Sequence, residues 1–140
     1  MMAAFAQQLS DLVNRLVLEN TQSEPDPVVR AKRFVSENIE DKICLENVAK
    51  HVGVSPYYFC KIFKQSTRMT LTEYINRRRV EKAKQLLLHR RNRITEIAYE
   101  VGFQSLSQFN RSFLKYVGVS PTGFRQKETS SKYMSAVPAM

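Results

Sequence analysis

The chain carries one pattern twice. Residues 45–74, LENVAKHVGVSPYYFCKIFKQSTRMTLTEY, recur as residues 94–124, ITEIAYEVGFQSLSQFNRSFLKYVGVSPTGF. The pairs Ala49/Ala98, Val52/Val101 and Gly53/Gly102 match at a spacing of 49, and after one inserted residue Ser55/Ser105, Phe59/Phe109 and Phe63/Phe113 match at 50. A repeated unit of this size is one supersecondary element used twice. In each copy a short amphipathic helix runs into a glycine and a serine then opens a second helix, which is a helix-turn-helix.

Local signals place the elements. Phe5, Leu9, Leu12, Val13, Leu16 and Val17 recur at steps of three and four, predicting an amphipathic helix over 3–18. The polar, proline-containing stretch 20–27 reads as a linker, which leaves the helix before it either folded back onto the domain or ending a connector to an upstream domain or a second copy. Asp26 as N-cap with Pro27 at the first helical position opens a helix through Val28, Ala31, Phe34, Val35 and Asn38. A helix over 45–52 stops at Gly53, and Ser55-Pro56 starts the next, through Gln65. A long helix is expected over 72–89, with Ile75, Val80, Ala83, Leu86 and Leu87 inward and Arg77, Arg78, Lys82 and Lys84 outward. The second copy repeats the order: helix over 95–101, Gly102, Ser105 as cap, helix over 106–116, Gly118, then a short helix from Ser120-Pro121 through Arg125. No stretch alternates with period two. The fold class is therefore all-α, two helix-turn-helix subdomains joined by a long connecting helix. The tail 128–140 is polar and expected to be disordered.

A chain of 140 residues with 43% hydrophobic content can bury a core. Its +9 net charge is localised: residues 61–93 hold eleven Lys and Arg against Glu73 and Glu81, and the remainder balances at eleven of each sign. A basic excess confined to one segment suits a polyanion-binding face, and on charge alone it suits a solvated helix surface equally well. Cys44 and Cys60 lack metal or redox spacing, so no metal site, no disulfide framework and a reduced cytoplasmic location are expected, with Cys44 a buried small hydrophobe. No signal peptide and no apolar run near the roughly 18 residues of a membrane span is visible, so no membrane association is expected. His51 and His89 have no ligand partners at useful spacing, and no nucleophile elbow, phosphate loop or paired-carboxylate motif occurs. The chain is expected not to be an enzyme and to need no cofactor.

The second copy reads A-x(3)-G-F-x-S-x(3)-F-x(3)-F-x(4)-G-x(2)-P-x(2)-F-R, carried by Ala98, Gly102, Phe103, Ser105, Phe109, Phe113, Gly118, Pro121, Phe124 and Arg125. This resembles the signature of AraC/XylS-type bacterial transcription regulators. EYINRRRVEKAKQLL is similar to the connecting helix of that family, and the resemblance spans about residues 27–127. It implies a DNA-binding domain over 27–127, preceded by 1–26 as a helix and linker to a missing upstream domain. It also implies double-stranded promoter or operator DNA and RNA polymerase as partners, and a homodimer formed through an upstream domain or residues 3–18. Three positions depart from the family pattern. Arg68 stands where glycine is frequent, so a side chain has to take a left-handed turn at about 1 kcal/mol. Gln108 stands for an aromatic or histidine, and Leu114 for a lysine that is displaced to Lys115.

In a helix-turn-helix the second helix presents its N-terminal outward side chains to base edges in the major groove. With Phe59, Ile62 and Phe63 inward, the first copy leaves Tyr57, Tyr58, Cys60, Lys61 and Lys64 outward. The family alignment makes Tyr57, Cys60 and Lys61 base readers and Lys64 a phosphate contact. With Phe109, Ser112 and Phe113 inward, the second copy leaves Ser107, Gln108, Asn110, Arg111 and Lys115. Arg111 can pair with guanine and Gln108 with adenine, beside Ser107, while Leu106 suits a thymine methyl and Lys115 a phosphate. Helix N-termini near Ser55, Thr95 and Ser120, and the side chains of Arg77, Arg78 and Arg125, are further phosphate candidates. Arg79 reads instead as structural, paired with an acid of a neighbouring helix. The connecting helix of 18 residues is about 27 Å long, which with the helix widths at its ends approaches the roughly 34 Å between successive major-groove faces. Two rivals remain at this level: a sequence-indifferent basic binder of nucleic acid or anionic surfaces, and a protein-interaction module using residues 3–18.

Overall fold

The computed structural model describes residues 24–89 and 91–136, with side chains as far as Glu128 apart from Arg90. The helix expected over 3–18 lies outside the described residues. Among the described residues seven helices follow in order: α1 Asp26–Glu37, α2 Leu45–Val52, α3 Pro56–Thr67, α4 Leu71–His89, α5 Ile94–Glu100, α6 Leu106–Val117 and α7 Pro121–Ala136. Among the described residues there is no strand.

Two hydrophobic cores form, one on the opening turns of α4 and one on the rest of it. The first joins Val28, Ala31 and Val35 of α1 to Val48, Ala49 and Val52 of α2, Phe59, Ile62 and Phe63 of α3, and Leu71 and Ile75 at the start of α4. The second joins Val80, Ala83 and Leu87 of α4 to Ile97, Ala98, Val101, Phe103, Phe109, Phe113 and Phe124. Helix α4 therefore belongs to the first unit in its opening turns and to the second in the rest. Phe59, Phe63, Phe109 and Phe113 are fully buried, and each contributes roughly 1.5–3 kcal/mol by leaving water. Their rings meet within each copy, Phe59–Phe63 at 5.3 Å and Phe109–Phe113 at 5.6 Å between centroids. These contacts follow from the i, i+4 spacing, which stacks both side chains on one helix face.

Helix ends follow local chemistry, and several depart from the sequence reading by a residue or more. Pro25 caps α1, so Asp26 and Pro27 are its first two residues. Helix α4 begins at Leu71 because Thr70 and Glu73 form a capping box: the Glu73 N–H donates to Thr70 Oγ1 at 3.2 Å and the Thr70 N–H to Glu73 Oε2 at 3.3 Å. The T-x-x-E pattern was visible in the sequence and marks this start. Helix α5 begins at Ile94, with Arg93 in an extended conformation as its cap, so Thr95 lies inside the first turn. Helix α7 runs to Ala136 instead of ending at Arg125, since nothing between them, glycine or proline, interrupts it. Cys44 is half-buried at the N-cap of α2, not a core residue.

Arg68 ends α3 with φ 65°, the one non-glycine residue at positive φ among those described, and its N–H donates to Lys64 O at 2.9 Å. Gly118 ends α6 the same way at φ 91°, its N–H on Leu114 O. The turn is a property of the repeat, and Arg68 takes it despite the cost of a Cβ.

Candidate nucleic-acid interface

Ser55 opens α3 and Ser105 opens α6, each accepting the third-residue N–H on its Oγ: Tyr58 N–H at 3.2 Å and Gln108 N–H at 3.1 Å. Proline at the first position of α3 fixes the entry further. With the phenylalanines inward, the phase of each helix is set, and its opposite face is left to solvent. On α3 Tyr57, Tyr58, Cys60, Lys61 and Lys64 are all exposed, Tyr57 at 83% of its full surface. On α6 Ser107, Gln108, Asn110, Arg111 and Lys115 are exposed as well. Each helix thus brings its expected base-reading set together on one face. Tyr57 and Tyr58, the latter at 50%, add exposed aromatic surface to the lysines of this helix.

Leu106 departs from expectation. It packs partly against the second core and is not presented as a free apolar tip. Leu114 is the apolar residue that α6 exposes, at 55%.

The basic stretch divides into residues that face out and residues that hold the fold. Arg77 and Arg78 are exposed and line, with Lys82, Glu81 and Ser66, a groove of about 840 Å³ bounded by α1, the end of α3 and α4. Lys82 pairs with Glu40, and Lys84 lies 3.9 Å from Glu81 and 6.0 Å from the Phe124 ring centroid. Arg125, a phosphate candidate from the sequence, also serves the fold: its Nε donates to Leu87 O at 3.2 Å and its Nη1 to Asn92 O at 2.8 Å. Those bonds satisfy carbonyls at the end of α4 and in the loop after it, so the side chain read as a phosphate contact ties α7 to that loop. At Thr95 the helix has only seven residues, so little macrodipole stands behind a phosphate there. At α7, Ser120 Oγ accepts the Gly123 N–H at 3.0 Å, as a cap should.

Arg79 is structural, but its partners are not acids. It is buried, its Nε donating to Ile39 O at 2.9 Å and its Nη2 to Asp41 O at 2.7 Å. Burial strips water from the guanidinium and pulls its pKa below the ordinary arginine value. The sequence also gave no sign of Arg30, whose guanidinium reaches the end of α2 at His51 O, 3.2 Å, and Val52 O, 3.5 Å. These contacts join residues 21 to 40 positions apart, beyond the reach of local patterns.

Among the described residues no group of three or more His, Cys, Asp or Glu is placed to hold a metal, and no helix is long and apolar enough to cross a membrane. What the two faces offer is hydrogen-bond donors, aromatic surface and positive charge at the N-terminal ends of two capped helices, the chemistry of base edges and phosphates.

A helix-turn-helix domain family matches residues 48–127, more than half of the chain. The chain belongs to the AraC-type helix-turn-helix family. It is 37% identical over 98 residues to the regulatory protein PocR of Salmonella typhimurium, covering 70% of this chain and 32% of PocR. The C-terminal domain of AraT, a response regulator from Geobacillus stearothermophilus, superposes with a TM-score of 0.70 at 32% identity, over 74% of this chain and 87% of that one. An AraC-type transcriptional regulator structure from Chromobacterium violaceum gives 0.68 at 26% identity, over 72% and 90%. This is a family of transcription regulators rather than enzymes, and the AraC-type domain binds DNA sequence-specifically. The chain spans about a third of the length of curated relatives such as PocR.

Proposed function

We propose that this chain is the DNA-reading part of a cytoplasmic transcription regulator in which one copy reads two adjacent major-groove segments. Helix α3 would read through Tyr57, Cys60 and Lys61, and α6 through Ser107, Gln108 and Arg111. Lys64, Lys115, Arg77 and Arg78, with the helix N-termini at Ser55 and Ser120, would hold phosphates. The observation that carries this reading is the pairing of two capped, solvent-facing recognition helices on one shared 19-residue helix. Nineteen residues make about 28 Å of helix, near the groove-to-groove distance once helix widths are added.

The two faces differ in chemistry, so the site should consist of two unlike half-sites about one turn apart. Selection of bound sequences from a random DNA pool, followed by competition with excess random DNA, tests this. A specific bipartite site that survives competition supports the reading. A strict palindrome footprinted by one helix refutes the two-groove part, and loss of all binding to random competitor would make the chain a charge-driven binder. RNA polymerase, and a second copy joined through an upstream domain or residues 3–18, are the further partners that membership of this family supports.

A further inference from the structure

Helices α1, α2 and α3 pack on one another and on the start of α4, and α5, α6 and α7 pack on one another and on the rest of it. A shared helix fixes the distance between two units along its axis. It does not by itself fix how far one unit is rotated about that axis relative to the other. Arg79, on α4, stands where the two units meet. Its guanidinium donates to Ile39 O and Asp41 O in the loop between α1 and α2, and its Cζ lies 6.0 Å from the centroid of the Phe103 ring in the turn between α5 and α6. That turn approaches so closely that a Cβ on Gly102 would stand 2.6 Å from Ile39 O and 2.7 Å from Arg79 Nε. One buried cation thus touches a loop of the first unit, the connecting helix and the turn of the second. Two outer contacts tie the same parts: Lys82 of α4 pairs with Glu40 of the loop, and Tyr116 Oη of α6 donates to Glu73 O of α4 at 3.3 Å.

We propose that Arg79 is a positioning residue that locks the mutual orientation of the two recognition helices, and so sets the half-site separation the domain accepts. The proposal rests on the two-groove reading above. A planar guanidinium offers donors in fixed directions, which lets it hold two carbonyls at a set angle; a lysine ammonium on a flexible stem does not impose that angle. Out of water these bonds resist exchange with solvent, so the lock persists in the free protein. With the lock removed, the second unit turns more freely about α4, the effective concentration of one recognition helix at its half-site falls, and strict spacing is no longer enforced.

The test compares the wild-type chain with Arg79→Lys and Arg79→Met, each checked for helix content by circular dichroism. First, without DNA, nitroxide labels on Cys60 and on Ser107→Cys in a Cys44→Ser background report the distance between recognition helices by electron double resonance. One narrow population is expected for Arg79, a broader one for Lys and a broader one again for Met. Second, without labels, affinity is measured for the selected site and for duplexes with one or two base pairs added or removed between half-sites. The wild-type chain should lose about tenfold or more per displaced base pair, and Arg79→Lys about threefold or less, with equal binding of both to an isolated half-site. If Arg79→Met does not fold, Arg79→Lys decides the outcome. Distances of unchanged width together with a retained spacing penalty in folded Arg79→Lys would overturn the lock. A wild-type chain indifferent to spacing would overturn the two-groove reading instead, and the DNA-free distances would then decide the lock alone.

Discussion

Gly53 and Gly102 occupy the same place in the two copies of the repeat, and they do different work. Both take a positive φ, 79° and 106°. A Cβ at Gly53 would meet nothing within 4 Å, whereas one at Gly102 would run into Ile39 O and Arg79. The first glycine is needed for the shape of its turn, the second for its turn and for the approach of the other unit. Duplication therefore accounts for what each unit is. The joining of the units depends on places where the copies have diverged in their surroundings.

The largest effect on this comparison should come from breaking the shared helix. Proline at Lys82 removes the N–H to Arg78 O and drives its ring against that carbonyl, at about 3 kcal/mol or more. Lys82 lies among the α4 residues of the second core, Val80, Ala83 and Leu87, past the last residue of the first, Ile75. Hydrogen exchange of Lys82→Pro should show α5, α6 and α7 losing protection more than α1, α2 and α3. Equal loss in both would mean that the two cores unfold as one.

Next in size is the pair of glycines. Gly102→Ala combines left-handed strain with displacement of a buried arginine bond, about 3 kcal/mol together, while Gly53→Ala carries only the strain, about 1 kcal/mol. Denaturant midpoints of the two variants give the difference. Equal losses would show that the close approach at Gly102 relaxes without cost.

Reading and holding should separate in the same way. Arg111→Ala is expected to lose about 1–3 kcal/mol on the selected site and to relax the choice of one base, since a bidentate contact to guanine carries sequence information. Arg77→Ala should weaken all sequences alike and make the salt slope shallower by about 0.9, the counterion release of one phosphate. Affinities for the selected site, a point-mutated site and random DNA over a salt series distinguish the two. The reverse pattern would exchange the roles of α4 and α6.

Most of what the sequence made legible was local. The turn glycines, the Ser55 and Ser105 caps and the inward phenylalanines are set by neighbours within four residues, and the outward faces of α3 and α6 follow from them by phase. The helix of 121–136 outruns its expected end at Arg125 because a polar stretch without glycine or proline does not stop a helix, and T-x-x-E, not the apolar pattern, marks the start of α4. Arg79 and Arg125 show what lies beyond that reach: Arg79 pairs with carbonyls and not with the acid expected, Arg125 bonds to carbonyls as well, and all of these partners are 33 or more residues away. A buried carbonyl leaves no mark in the sequence, so the partner of a buried arginine is decided by packing.

The smallest expected effect concerns the second turn of each copy, where the comparison runs the other way. Gly118 sits at φ 91° with nothing within 4 Å of its absent Cβ, and Arg68 sits at φ 65° with a side chain in place and exposed. Both N–H groups make the same bond four residues back, so the two turns differ chiefly in left-handed strain. Arg68→Gly should relieve that strain and stabilise by up to about 1 kcal/mol, less the entropy that a glycine adds to the unfolded chain, while Gly118→Ala should destabilise by about the same amount. Thermal unfolding of each variant and of the double variant checks this, and the effects should add because the turns belong to separate cores. Arg68 also carries a charge on an exposed turn just past a recognition helix. If Arg68→Gly stabilises the fold and weakens DNA binding at the same time, with a shallower salt slope, the strain is retained for a phosphate contact; if binding is unchanged, Arg68 is a tolerated departure from the repeat and nothing more.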